Sequence, residues 1–89
     1  MKPVPLPTPI KRTPGPEGED RDVKEVTFRE PKGGDLRGFE TIAILRMDYN
    51  AHRTLIPRIC PQVTANDIDA MDPKTLLALQ TEVVGFFVE

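Results

Sequence analysis

The stretch Val26–Gly38 is where this chain changes from extended to helical, and it constrains what the segments on either side can fold into. Val26 and Phe28 alternate with polar neighbours at the period of a β-strand. Pro31 lacks an amide hydrogen and disfavours helical backbone at the residue before it, so the strand should end there. The first half of the stretch therefore predicts a strand that stops abruptly.

The second half of the stretch favours a turn followed by a helix. Gly33 and Gly34 permit a turn, and Asp35 can accept a hydrogen bond from a free amide of a helix that begins at Leu36. We call Pro31, Gly33, Gly34 and Asp35 the structural corner. Apolar residues at helical spacing then predict a first helix over Asp35–Met47, with a buried stripe of Leu36, Phe39, Ile42, Ala43 and Arg46 or Met47.

Prolines dominate the start of the chain. Six of the ten lie in the first sixteen residues, at positions 3, 5, 7, 9, 14 and 16. Their alternation places Val4, Leu6 and Ile10 on one face and removes every second amide, which predicts an edge strand over Val4–Ile10. A polyproline tail is the alternative reading.

A charged, turn-rich segment, Lys11–Asp22, has no apolar side chain to bury, and we expect it to be a flexible loop. The strand Val23–Arg29 follows, and pairing it with Val4–Ile10 gives an antiparallel hairpin. A lone hairpin is marginal in water, so its apolar face needs helices packed on it.

Helix start signals recur in the second half of the chain, and we expect helices throughout residues 35–88. Asp48 can cap a helix to about Cys60, which Pro57 should kink or shorten near Arg53. A short helix should begin after Thr64. Asp72 followed by proline is a strong start signal for the last helix. The sequence predicts one small α+β domain over residues 1–89, a β-hairpin followed by three to four short helices.

The last helix has more apolar residues than one buried stripe holds. Seven large ones lie within 76–87, whereas a buried stripe takes about three to four per two turns. We therefore expect part of this helix, together with the first strand, to bind a partner. The candidate partner-binding residues are Leu77, Val84, Phe86, Phe87, Val4 and Leu6.

Composition excludes several classes of function. The formal net charge is −2, from well-mixed acids and bases, so the chain has no basic stripe of the kind that nucleic acids need. No apolar run approaches the ~18 residues of a membrane span. With one cysteine and no secretory signal, the chain reads as reduced and cytoplasmic.

Catalytic chemistry has little support in this sequence. His52 and Cys60 could be imagined as a base and a thiol, but neither lies in a nucleophile motif. Asp67, Asp69 and Asp72 lack the glycine and the final glutamate of a calcium loop. We predict no enzyme, with no catalytic, cofactor or metal residues.

Two stretches carry a resemblance to a known family. The run VTFREPKGGDLRG, followed by a helical tail that contains TLLALQTEVVGFF, resembles the tail assembly chaperones of long-tailed bacteriophages, specifically the E-type or 41-type proteins of contractile-tail phages. The long loop Lys11–Asp22 and Pro57 depart from the family pattern. The resemblance covers most of the chain.

The resemblance implies a function and partners. Proteins of this family are thought to bind the tape-measure protein and keep it soluble during tail-tube assembly, in the host cytoplasm, and to be absent from the virion. A ribosomal frameshift often yields a longer form, so such a form of the chain itself is a further candidate partner, and self-association stays open. The alternatives are a small structural or adaptor subunit of a tail that acts by strand pairing, and a DNA-binding regulator, which the charge balance disfavours.

Overall fold

The computed structural model describes residues 3–88, so residues 1, 2 and 89 of the predicted domain lie outside the described part. An antiparallel hairpin is followed by one 3₁₀ turn and four α-helices, which confirms the α+β prediction. The elements are β1 (Val4–Ile10), β2 (Val23–Val26), the 3₁₀ turn (Gly33–Leu36), α1 (Thr41–Leu45), α2 (Tyr49–Ile59), α3 (Ala65–Ala70) and α4 (Pro73–Gly85).

The first strand, β1, has the predicted bounds and pairs with β2. Val4 lies opposite Val26 and Ile10 opposite Val23, with an irregular register between these two pairs. Between these pairs the amide of Thr8 makes a contact outside the sheet: it donates to Thr75 Oγ1 in α4 at 3.2 Å. A helix is therefore tied to the strand by its backbone as well as by apolar packing.

The second strand is shorter than predicted, because the chain leaves β1 after Val26. The amide of Thr27 donates to Gln62 Oε1 at 2.8 Å, and the amide of Arg29 donates to the Ile59 carbonyl at 2.9 Å. These acceptors lie at and beyond the end of α2. The amides of Thr27 and Arg29 are thus satisfied at the end of α2 and in the turn that follows it, while Phe28 remains buried.

The prediction of one helix over Asp35–Met47 is wrong. The structural corner leads into a 3₁₀ turn capped at Lys32, and α1 begins only at Thr41. Asp35 is the third residue of that turn, where its carboxylate accepts the Lys32 amide at 2.8 Å instead of capping a helix from Leu36. Gly33 and Gly34 do not need left-handed backbone; within the stretch 26–38 it is Gly38, with φ +94°, that does.

Because α1 starts late, its inward face differs from the predicted stripe. Ile44 is buried, whereas Ile42 is 51% exposed. The helix ends in a Schellman motif: Met47 donates to the Ile44 carbonyl and Asp48 to the Ala43 carbonyl. Met47 occupies the left-handed position, with φ 61°, where glycine is usual. No glycine in the sequence signals this helix end.

The later helices start where their caps predict. Asp48, Thr64 and Asp72 each accept an amide hydrogen bond from the third residue after them, and Thr64 and Asp67 form a capping box. Pro57 lies inside α2, which nevertheless continues to Ile59, so the proline does not end the helix early. Pro73 is at the first position of α4, where its missing amide costs nothing.

One apolar core joins the hairpin to the helices. Its buried members come from both strands, from the segments that follow β2 and α2, and from all four α-helices. They are Leu6, Ile10, Val26, Phe28, Ile44, Ala51, Leu55, Ile56, Ile59, Cys60, Val63, Ile68, Leu79 and Val83. The helices thus cover the hairpin face that could not remain exposed.

Candidate partner-binding surface

The last helix has one face in the core and one in solvent. Thr75, Leu79, Gln80 and Val83 are buried. The opposite face consists of Lys74, Leu77, Ala78, Thr81 and Glu82. These residues are three or four positions apart, so their side chains lie along one side of the helix.

That outward face forms an open groove with the start of β1. Val4 and Pro5 line one side, and the five outward residues of α4 line the other. We call these seven residues the α4 groove. Leu77 is 54% exposed, the largest exposed fraction among the large apolar side chains of residues 3–88. The groove therefore offers apolar surface between a basic end at Lys74 and an acidic end at Glu82.

A second apolar surface lies where α4 ends. Phe86 is 39% exposed and Val88 is 51% exposed, while Phe87 is half-buried against the core. We call these three residues the C-terminal apolar end. One edge of Phe86 faces inward, with its ring centroid 6.4 Å from that of buried Phe28. The remaining surface of Phe86 is open to solvent.

The structure separates the six predicted partner-binding residues into groups. Val4 and Leu77 both line the α4 groove, and Phe86 and Phe87 lie in the C-terminal apolar end. Val84 is partly exposed between them. Leu6 is only 8% exposed and belongs to the core, so it offers a partner almost no free surface. Binding by the remaining residues stays a prediction.

A further set of apolar residues is exposed although the sequence did not indicate it. Ile42 and Leu45 of α1 and Tyr49 at the start of α2 are each more than a third exposed. The predicted long helix placed Ile42 in the core, and only the late start of α1 turns it outward. The Tyr49 hydroxyl also donates to Asp69, which fixes the ring at the surface.

The structural corner is held by two arginines. The guanidinium of Arg29 binds both oxygens of the Asp35 carboxylate at 2.7 and 2.8 Å. This contact, with the Lys32 amide, lowers the pKa of Asp35 to about 2. Arg58 donates from α2 to the backbone carbonyls of Asp35 and Arg37 at 2.7 and 2.9 Å. The corner is therefore tied to α2, and the carboxylate and carbonyl of Asp35 are both hydrogen-bonded within the fold.

The charged loop is anchored by a contact that the sequence did not indicate. Both terminal nitrogens of Arg12 lie 2.7 Å from the Asp67 carboxylate, and one also donates to the Gln62 carbonyl. The Arg12 guanidinium lowers the pKa of Asp67. At the other end of the loop, Asp22 accepts the Arg12 amide. Mobility of the residues between these anchors stays a prediction.

His52 and Cys60 are both buried in the core. His52 Nε2 lies 2.9 Å from the Ile44 carbonyl, and its Nδ1 has no hydrogen-bond partner among residues 3–88. Burial lowers the pKa of His52 and raises the pKa of the Cys60 thiol. A nucleophilic thiolate with a protonated histidine needs the opposite shifts.

The three nearby aspartates each have a structural partner. Asp67 binds Arg12, Asp69 binds Arg53, and Asp72 caps α4. Within the described residues, no group of three or more His, Cys, Asp or Glu side chains could hold a metal ion. None of the helices over residues 3–88 is long and apolar enough to cross a membrane.

Comparison with known proteins identifies relatives along nearly the whole chain. The family described as phage tail assembly chaperone proteins E, 41 or 14 matches residues 9–88. Tail assembly protein E of Escherichia phage P2 is 32% identical over 84 residues, covering 93% of this chain and 86% of that protein. Tail assembly protein E′ of the same phage is 33% identical over 86 residues, covering 96% of this chain.

The chain spans 56% of the length of E′, so a large part of E′ has no counterpart here. No solved structure matches the chain significantly. The matches with the family and with both phage proteins confirm the resemblance drawn from the corner and the helical tail.

Proposed function

Because the chain belongs to the family of phage tail assembly chaperones, we propose that it binds the tape-measure protein and keeps it soluble while the tail tube assembles. A tape-measure chain is expected to be long and helical, with apolar stripes that have no partner before the tube forms. A protein that holds it needs apolar surface that its own core leaves uncovered.

The observation that carries the proposal is the C-terminal apolar end. Phe86 and Val88 together leave on the order of 150 Å² of apolar surface in water. At about 25 cal/mol per Å², covering this surface contributes about 4 kcal/mol, and the partner's own buried surface adds to it. After the costs of association and ordering, reversible binding near the micromolar range is the expected outcome.

Co-expression tests the proposal directly. The tape-measure protein of the same phage, expressed with and without this chain, should be recovered in the soluble fraction mainly when the chain is present. Phe86→Lys and Val88→Lys should each reduce that soluble yield severalfold. Val88→Lys is the cleaner variant, since Phe86 also contacts Phe28 and its loss weakens the fold as well.

A matched control is available on another helix. Ile42 has the same 51% exposure as Val88, so Ile42→Lys introduces the same charge at an equally exposed apolar position of α1. It should leave the solubilising effect unchanged. If Val88→Lys and Phe86→Lys fold and still solubilise the tape-measure protein, the binding surface lies elsewhere. If the wild type has no effect, the tape-measure proposal fails.

The alternative, a structural or adaptor subunit that binds by strand pairing, has less support. Three of the seven residues of β1, Pro5, Pro7 and Pro9, have no amide hydrogen, and the Thr8 amide is donated to Thr75. Such an edge is a poor template for another strand. We therefore expect the chain to act in the host cytoplasm and to be absent from purified phage particles, which mass spectrometry of the particles would check.

A longer form of the chain is the second partner we propose. The same stretch of this chain matches both E and E′, and E′ extends well beyond the match. This is the relation expected of two products with a common first part. Ribosome profiling or mass spectrometry of infected cells would reveal a product that carries this sequence with a different continuation.

A further inference from the structure

We propose that the α4 groove is an interface between two copies of this chain, related by a two-fold axis that passes near Ala78. This surface is separate from the C-terminal apolar end to which tape-measure binding was assigned. Leu77 and Phe86 are nine residues apart, which places them on opposite sides of a helix and about 13 Å apart along its axis.

The charges of the groove are self-complementary. Lys74 lies four residues before Ala78 and Glu82 four residues after it. When two identical helices cross antiparallel at Ala78, Lys74 of each copy therefore faces Glu82 of the other, and two equivalent ion pairs form. An isologous interface requires this pattern, in which one patch complements itself.

Neither charge has a use within the fold. Lys74 and Glu82 form no salt bridge and no side-chain hydrogen bond with any other residue in the described part of the chain. The two charges that remain free on α4 are thus the two that a second copy would pair.

The side chains between these charges suit close contact. Ala78 is small, so the two helices can approach at the crossing point, and Thr81 adds little bulk beside it. Leu77 of each copy then packs over Ala78 and Thr81 of the other and removes the most exposed apolar side chain of α4 from water. Val4 and Pro5 extend the contact at its edge.

The size of the surface sets the strength of association. A helix of 13 residues is about 20 Å long, and one such face buries less than the ~800 Å² per partner of a standard interface. The dimer is therefore weak, with a dissociation constant on the order of 100 μM, and salt weakens it further. Within the dimer the two C-terminal apolar ends lie about 24 Å apart along the helix axes and face away from the interface, so dimerisation leaves both uncovered.

Charge reversal tests the interface without the tape-measure protein. In sedimentation equilibrium from about 10 μM to 1 mM, the wild type should shift from monomer towards twice the monomer mass. Lys74→Glu and Glu82→Lys should each weaken association at least tenfold, because each places like charges opposite one another twice. The double variant K74E/E82K restores both pairs and should associate within about threefold of the wild type.

An equimolar mixture of the two single variants is the sharpest measurement. One copy then carries acids at both positions and the other carries bases, so the mixture should form a heterodimer although each variant alone is monomeric. Both reversals place their charge favourably relative to the helix dipole, so circular dichroism should show intact helices. Glu17→Lys, an exposed reversal in the charged loop at the other end of the hairpin from Val4 and Pro5, is the control and should dimerise like the wild type.

Three results would overturn the proposal. A wild type that stays monomeric at 1 mM in low salt excludes the interface. Dimerisation that neither single reversal weakens places the interface elsewhere. If the wild type is monomeric and Leu77→Lys abolishes solubilisation of the tape-measure protein, the groove binds that partner instead of a second copy.

Discussion

The hydroxyl of Thr75 connects the last helix to the proline-rich strand, and removing it should destabilise the protein even though apolar volume is conserved. Thr75 is 1% exposed. Its Oγ1 accepts the Thr8 amide at 3.2 Å and donates to Asp72 Oδ1 at 2.7 Å. Thr75→Val keeps the shape of the side chain but leaves the Thr8 amide without its acceptor.

The expected magnitude follows from opposing terms. An unsatisfied, partly buried amide costs about 1–3 kcal/mol, whereas the extra methyl of valine returns up to about 0.8 kcal/mol. The net loss for Thr75→Val is therefore about 1–2 kcal/mol. Thr75→Ser keeps the hydroxyl and loses one buried methyl, which costs about 0.8 kcal/mol. Valine, threonine and serine have similar helix propensities, so the backbone contributes little to the difference.

Urea unfolding of the three proteins measures this difference. A chain of this size has an m-value near 1 kcal/mol/M, so Thr75→Val should lower the midpoint by about 1–2 M and Thr75→Ser by less. Exchange of the Thr8 amide with deuterium should accelerate only in the valine variant. A valine variant as stable as the wild type, with unchanged Thr8 exchange, would refute the reasoning.

Three further predictions concern single contacts. Met47→Gly should raise the unfolding free energy by about 1 kcal/mol in urea titrations, since Met47 is left-handed, and Met47→Ala should not. The pKa of His52 is lowered, so unfolding binds a proton and stability should fall as pH drops below about 6.5; His52→Leu should flatten this slope in pH-dependent melts. A double-mutant cycle of Arg12→Ala and Asp67→Ala should give a coupling of about 1 kcal/mol that disappears in acid, as Asp67 titrates below its ordinary pKa.

Features that depend on local chemistry could be predicted from the sequence. Asp48, Thr64 and Asp72 cap helices through amides three residues away, so each signal lies within one turn. The bounds of β1 follow from the alternation of prolines, which needs no knowledge of the rest of the fold. In both cases the interaction that decides the structure lies within a few residues along the chain.

Features that depend on distant partners could not be predicted. Arg29 and Arg58 hold the turn at Asp35 in place, and Arg58 is more than twenty residues away along the chain. The local sequence alone therefore could not distinguish this turn from the start of a long helix capped by Asp35. Gln62 receives the Thr27 amide across thirty-five residues and ends β2 early. Met47 ends α1 in a left-handed conformation that the sequence does not indicate. Because the predicted helix began too early, Ile42 was assigned to its buried face.

The two faces of α4 explain why the binding surface was only partly predicted and why it can be tested separately from stability. The number of apolar residues in α4 predicts that some are exposed, but only the packing of α4 on β1 and the other helices decides which ones. Leu77 lies on the opposite side of the helix from the buried residues Thr75 and Leu79, and Phe86 follows the last turn of α4. Substitutions on the inward face should therefore change the unfolding free energy. Substitutions at Leu77 or Val88 should change association and leave that free energy nearly unaltered.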